Sequence, residues 1–296
     1  MTCAILSKAR TERVPDAVAP ACVDVGDGYV HVASAGAGTE MVMLHGWTLD
    51  HRSWLPQLPL ADRMRLVLPD RRGCGRSTAP PYLAQEWRDI DRLAAPGRFI
   101  LMGMSQGASV ALDYARRRPE RVLALVLVGT PLHEIVPYDH DDDRLARDTY
   151  ADLVRTGRLA TMKRDWADHP LARRNATAAP LVDAMLADYD GRDLLAPPAP
   201  ITITAADIAA LPMPVLAIAG SKDTAWRRRV RDFIGATAPQ GRVANIEAAG
   251  HLCNLDDPAR FNAVLANFLT ALPHERPEPP CCSPPRSSDP TVSPTG

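Results

Sequence analysis

Short apolar runs without polar alternation recur along the chain, separated by segments of helical character. Met41-Val42-Met43-Leu44 is the first, and Leu66-Val67-Leu68, residues 99–102, residues 122–128 and residues 215–219 follow. Such runs predict strands buried on both faces. Upstream, Tyr29-Val30-His31-Val32-Ala33 follows the turn Gly26-Asp27-Gly28 and predicts a strand with a short partner at 22–25. Residues 243–246 predict a further strand. Residues 51–58, 86–93, 106–118, 226–234 and 258–272 read as helices. This alternation predicts an α/β fold, a mostly parallel central sheet with helices on both faces. In such sheets functional residues gather beyond the carboxyl ends of strands. His45-Gly46, Asp70, Ser105 and Asp223 all stand at or just past such ends.

One interval breaks the pattern. Residues 131–211 hold no strong strand run, only helix-compatible stretches at 143–157, 159–168 and 181–189. A structureless loop of that length does not suit a compact domain. A helical cap inserted over the sheet is expected, with an exit hinge at Pro197-Pro198-Ala199-Pro200 and Pro212-Met213-Pro214. The expected division is a flexible leader at 1–20, a core at 21–130 and 212–272, the cap at 131–211, and a disordered Pro-rich tail at 273–296.

Composition narrows the partners. With 296 residues, 46% of them hydrophobic, the chain suits one large domain with a sizeable core. A net charge of −1 gives no electrostatic case for nucleic acid or an anionic membrane. No apolar stretch approaches the ~20 residues of a membrane span, and residues 1–20 lack the apolar core of a secretory signal. The six cysteines (Cys3, Cys22, Cys74, Cys253, Cys281, Cys282) form no C-x-x-C pair and read as free thiols of a reducing cytoplasm. Cys281-Cys282 lacks the convergent ligands of a zinc site. Asp139-His140-Asp141-Asp142-Asp143 reads as a solvated helix start rather than a metal site. No metal or other cofactor is implied, and nothing in the sequence indicates an oligomeric state.

The chemistry concentrates in Gly103-Met104-Ser105-Gln106-Gly107, set between a predicted strand and a predicted helix. A serine so placed sits on a sharp turn that exposes its hydroxyl, and glycines permit the turn because a Cβ would collide with strand or helix. The residue after it opens the helix, leaving the Gln106 N–H free for developing negative charge. The alternative is an ordinary turn whose serine caps the helix. A serine nucleophile needs a base, and the base needs a carboxylate to fix its tautomer. His251, after Ala248-Ala249-Gly250 and before the last helix, is the candidate base; otherwise it is a surface-loop histidine. Asp223, in Gly220-Ser221-Lys222-Asp223, is the candidate acid, with a helix N-cap as its other reading. His45-Gly46-Trp47 directly follows a strand, so the Trp47 N–H can converge with that of Gln106 as a second oxyanion donor. His45 itself reads as a loop brace.

Together with Asp70-Arg71-Arg72-Gly73-Cys74-Gly75-Arg76-Ser77, these residues resemble the α/β-hydrolase superfamily over about residues 22–272. The resemblance implies the α/β-hydrolase fold and keeps the family order of Ser105, then Asp223, then His251. It implies that the Asp70 loop braces the site and that Cys74 stands at a variable, non-catalytic position. The stretch from Ser77 to Phe99 is short for the family, so a reduced helix is expected there. The implied activity is a serine hydrolase cleaving a carboxylic ester, lactone or thioester through an acyl-enzyme, acting on a small, fairly apolar molecule. A serine nucleophile sets the chain apart from relatives that use aspartate. Carbon–carbon bond hydrolases, cofactor-free haloperoxidases with perhydrolase activity, and slow small-molecule receptors share the same triad and stay open.

Overall fold

The computed structural model describes residues 18–138 and 144–272. Most of the expected leader, the acidic run at 139–143, the tail from 273, and Cys3, Cys281 and Cys282 lie outside the described residues.

Eight strands form one sheet: β1 (Ala19–Asp24), β2 (Tyr29–Ala35), β3 (Glu40–Leu44), β4 (Arg65–Pro69), β5 (Phe99–Met104), β6 (Val122–Val128), β7 (Val215–Gly220) and β8 (Gly241–Ile246). Their order is β1-β2-β4-β3-β5-β6-β7-β8. The β1/β2 and β2/β4 pairs are antiparallel and every other pair is parallel. β1 begins at Ala19, inside the segment expected to be a leader. β3, β5 and β7 are buried along their whole length, as unbroken apolar runs require.

The two sheet faces carry separate cores. Val42, Leu44, Leu101, Leu125 and Ala217 share one with Ile90 of α1 (Glu86–Leu93), Val110 of α2 (Gln106–Arg117) and Val230 of α7 (Ala225–Thr237). Met41, Met43, Met102, Val126 and Ile218 share the other with Trp54 and with Phe261 and Leu265 of α9 (Pro258–Thr270), which follows the short α8 (Cys253–Asp256). This is the period-2 alternation of strands, with one interruption: a register shift at Phe99/Ile100 sets Val122 and Ala124 on opposite faces.

The helix expected at 51–58 differs. Residues His51–Asp62 wind as a 3-10 helix, N-capped by Asp50, whose side chain accepts the Arg52 N–H. Pro56 and Pro59 lie inside it. Besides lacking a donor N–H, each proline ring crowds the carbonyl four residues earlier, which disfavours an uninterrupted α-helix here.

Between β6 and β7 lie α3 (Arg147–Arg155), α4 (Leu159–Asp168), α5 (Ala179–Asp188), a 3-10 turn at Arg192–Leu195, and α6 (Ala205–Ala209). α6 was not expected, although Thr204 and Asp207 form a capping box that marks its start. Tyr150, Met162, Trp166, Leu171, Leu186, Tyr189 and Leu194 form a core of their own within this insert, and Trp47 from the loop after β3 completes it.

The tightest joint lies where α2 starts. A Cβ on Gly107 would overlap the Leu44 carbonyl oxygen and stand 2.5 Å from that of His45. Helix and strand end therefore meet backbone to backbone. Gly107→Ala is expected to lower the unfolding free energy by about 1–3 kcal/mol or more through overpacking, measured by urea titration against the unsubstituted protein.

Candidate active site

Ser105 sits between β5 and α2 with φ 52 and ψ −118. Non-glycine residues at positive φ are uncommon and cost about 1–3 kcal/mol, so the surroundings must hold the conformation. Its N–H donates to the Val128 carbonyl at 2.7 Å. A Cβ on Gly103 would overlap the backbone of Gly107 and Ala108. The Ser105 side chain makes no capping bond to α2, so the helix-cap reading fails and the hydroxyl stays available. Gln106 is the first residue of α2, where amides lack intrahelical acceptors and the helix dipole is positive.

Asp223 and His251, 28 residues apart, meet in a buried hydrogen bond of 3.0 Å between Asp223 Oδ2 and His251 Nδ1. An ionised carboxylate only accepts, so Nδ1 carries the proton and Nε2 is the basic nitrogen. Thr224, not Asp223, N-caps α7, its side chain accepting the Arg227 N–H. Asp223 Oδ1 accepts the Thr224 N–H at 2.8 Å, which orients the carboxylate. The two loops are joined by the Lys222 N–H to the Ala249 carbonyl at 2.8 Å. Asp256 accepts the Gly250 N–H at 2.8 Å and the Asn175 N–H at 2.9 Å, tying the His251 loop to the insert.

Gly129, just past β6, makes room for this pair. A Cβ there would stand 2.6 Å from His251 Cε1 and 2.8 Å from Nδ1, and its φ is 54. The Arg227 guanidinium donates to its carbonyl at 2.7 Å. Gly129 escaped the sequence analysis; a glycine ending a buried run was the available signal.

The loop after β3 brings Gly46 against the serine, with Ser105 Cβ 3.5 Å from where a Gly46 Cβ would be. Thr48 follows with φ 61, a strained value for a β-branched residue. The Trp47 indole N–H donates to Asp193 Oδ2 at 2.7 Å, and the Trp166 indole N–H to Thr48 Oγ1 at 2.9 Å. The Tyr189 hydroxyl donates to Asp193 Oδ1. Burial, then Asp193, pushes the Tyr189 hydroxyl pKa up, keeping it a donor. Burial also raises the Asp193 pKa, while the bonds from Tyr189 and Trp47 act against that rise.

Behind the loop, His45 is fully buried. Its Nε2 accepts the Arg71 N–H at 2.9 Å and its Nδ1 lies 2.8 Å from the Gly46 carbonyl, a pairing that suits the neutral Nδ1–H tautomer. Burial, reinforced by Arg71, lowers its pKa to about 4. Arg71 forks onto Glu86 and also donates to the His45 carbonyl and to Gln106 Oε1, each at 3.1 Å. It thus links the loop after β3 to the first residue of α2. Asp70 accepts the His51 N–H and ring Nδ1 on one oxygen and the Arg76 N–H on the other. Burial opposes its ionisation, yet the His51 bonds hold its pKa well below the usual carboxylate range. His31, His51 and Asp70 lie within metal-binding reach of one another, but these hydrogen bonds already occupy both Asp70 oxygens.

Ser105, Gln106, Trp47 and His251 line one cavity of about 490 Å³, together with Trp166, Leu171 and Val182 of the insert. Cys74 also lines it, but burial and the nearby Asp193 carboxylate push its thiol well above the ordinary value, which suits an inert residue. Among the described residues no helix is long and apolar enough to cross a membrane.

Comparison with known proteins places this geometry in context. The pattern of the alpha/beta hydrolase family matches residues 41–264. A pimeloyl-acyl-carrier protein methyl ester esterase of Edwardsiella ictaluri is 30% identical over 251 residues, covering 79% of this chain and 95% of that protein. The esterase of the same name from Aromatoleum aromaticum is 28% identical over 239 residues, covering 74% and 93%. Among solved structures, a thermophilic esterase from Thermogutta terrifontis is similar with a TM-score of 0.70 at 22% identity, covering 86% of this chain and 98% of that one.

The buried His45 predicts a pH dependence. Its folded pKa of about 4 lies below the ordinary 6.5, so between these values the unfolded chain binds a proton that the folded one refuses. Stability therefore falls as pH drops from about 6.5 to about 4, by up to about 3 kcal/mol for this group. His45→Gln lacks this loss. The stability gap between the two proteins, read by urea unfolding at pH 7 and pH 4.5, is expected to narrow on acidification.

Proposed function

The chain belongs to the alpha/beta hydrolase family and is a hydrolase, and from that premise we propose that it cleaves carboxylic esters through Ser105, His251 and Asp223. The observation that carries this reading is the 3.0 Å Asp223–His251 hydrogen bond beside a cavity that Ser105 lines from its strained turn. His251 Nε2 takes the Ser105 proton as Oγ attacks the ester carbonyl. Asp223 stabilises the resulting imidazolium. The tetrahedral oxyanion is held by the backbone N–H groups of Gln106 and Trp47, each of which contributes roughly 10²–10³ to rate in sites of this kind. The imidazolium then protonates the departing alcohol. Water, deprotonated by His251, attacks the acyl-serine, and the imidazolium returns that proton to Ser105 Oγ as the C–Oγ bond breaks and the acid leaves.

The helices between β6 and β7 act as a cap in this reading, with Trp166, Leu171 and Val182 forming an apolar wall over the serine. The cavity falls in the range of small-molecule sites, ~300–1,000 Å³. The curated relatives are named for a methyl ester on an acyl chain, so aliphatic methyl esters of medium length are the first substrates to compare with p-nitrophenyl esters.

Fluorophosphonate labelling and p-nitrophenyl ester turnover test the reading. The unsubstituted protein is expected to label, and Ser105→Ala and His251→Ala to lose labelling and turnover. Asp223→Asn is expected to lower kcat by about 10³–10⁴ with its geometry intact. Labelling that survives in Ser105→Ala rules the mechanism out.

A further inference from the structure

Two side chains of the insert hydrogen-bond to the turn that bears the second oxyanion donor. Asp193, from the 3-10 turn Arg192–Leu195, accepts the Trp47 indole N–H on one oxygen and the Tyr189 hydroxyl on the other. Trp166, from α4, donates its indole N–H to Thr48 Oγ1. The Trp47 ring is enclosed by Trp166 edge-on at 4.6 Å, Tyr150 at 6.0 Å and Tyr189 at 6.1 Å. Both residues of the turn are thus gripped from the insert, Trp47 by its ring and Thr48 by its hydroxyl.

The grip bears on the backbone. The Trp47 N–H belongs to the Gly46–Trp47 peptide, where Gly46 has no side chain to fix it, and the next residue, Thr48, is held at a φ of 61 that is disfavoured for a β-branched residue. Left to itself, such a turn relaxes toward negative φ and rotates the neighbouring peptide planes. An oxyanion donor serves only when it points at the developing charge before the reaction begins.

We propose that Asp193 and Trp166 are positioning residues, through which the insert holds the Trp47–Thr48 turn with its backbone N–H aimed at the reacting carbonyl. The inference rests on the reading of Trp47 and Gln106 as oxyanion donors and adds the device that sets one of them. It gives the insert two tasks, walling the cavity and completing the catalytic backbone. The Asp193 carboxylate suits the first of these positions because it accepts two bonds at once; an amide accepts through one atom only.

The test uses substitutions that delete one hydrogen-bonding group each. Trp47→Phe and Trp166→Phe remove an indole N–H and keep a ring, and Asp193→Ala removes the shared acceptor. Four quantities are read on the full chain: kcat and KM for a p-nitrophenyl ester, the second-order rate of fluorophosphonate labelling, and Tm. Asp193→Ala is expected to lower kcat and the labelling rate together by about tenfold to a hundredfold, short of or up to the loss of one donor, with KM within about threefold. Trp47→Phe is expected to fall in the same direction. The double variant Trp47→Phe/Asp193→Ala should fall no further than Asp193→Ala, because both cut the same bond. Trp47→Phe is mild enough to keep the test alive if Asp193→Ala does not fold.

Unchanged kcat in Asp193→Ala and Trp47→Phe overturns the role of Asp193, and unchanged kcat in Trp166→Phe, which is expected to fall in the same direction, overturns that of Trp166. A rise in KM at constant kcat also overturns the role of Asp193, marking it as a wall of the cavity and nothing more. Losses that multiply in the double variant show that the two residues act apart, and overturn it as well. Ser105→Ala, run alongside, separates this from failure of the underlying reading: turnover that survives there removes the serine mechanism and the positioning role with it. A Ser105-dependent enzyme indifferent to Asp193 loses only the latter.

Discussion

The joint between the end of β3 and the start of α2 governs the site. Gly107 lies against the carbonyls of Leu44 and His45, so the helix begins as close to the neighbouring strand as two backbones can come. That approach brings the two loops that follow β3 and β5 side by side, Gly46 against Ser105. It also fixes the direction in which α2 presents its unpaired first amides. The positive φ of Ser105 follows from the same geometry: the chain leaves β5, turns within one residue and enters a helix whose position is already set. The strain at Ser105 is held by packing on both sides of it.

Around this joint stands a shell of buried charge. Arg72 lies between Asp89 and Asp27, and Arg71 between Glu86, the His45 carbonyl and Gln106. Buried ion pairs are weak stabilisers because desolvation offsets their attraction, but removing one partner strands the other. Their effect here is geometric. Each guanidinium offers several donors in one plane, so Arg71 can hold residues from three separate elements in a single register. The Asp70 loop works the same way with hydrogen bonds, closing on His51 and Arg76 and leaving no space at Gly75 for a side chain beside the Asp70 carboxylate.

Much of the fold could be read from the sequence because parallel strands buried on both faces leave uniform apolar runs. β3, β6 and β7 stand where those runs are, and α1 spans residues 86–93 as its pattern indicates. The segment at 51–62 shows the limit: apolar spacing suggests a helix, while Pro56 and Pro59 decide which kind. For the site, Ser105, Asp223 and His251 each carry a local mark, a glycine or a strand end beside them. Asp193 carries none. Its partner Trp47 is 146 residues away, and nothing near it in the chain distinguishes it from the other aspartates. Arg71 lies in the Asp70–Ser77 loop and Gly129 ends a buried run, so both stand beside a local mark, but what each touches is set by the fold. Residues set on sharp turns at strand ends announce themselves in sequence because such turns demand a local pattern; residues that support them are chosen by tertiary neighbours.

The insert's core has a further bearing on how such proteins change over time. Its aromatic cluster is sealed by Trp47, a residue of the sheet's own loop, so the hydrophobic boundary between insert and sheet does not follow the order of the chain. A recombination event that exchanged residues 131–211 for another sequence would carry away the socket and leave the plug. The foreign segment would meet an indole with no carboxylate to bond and no rings to enclose it. Insert and turn are therefore one packing unit split across the sequence, and a segment put in place of the insert has to enclose the side chains at positions 47 and 48.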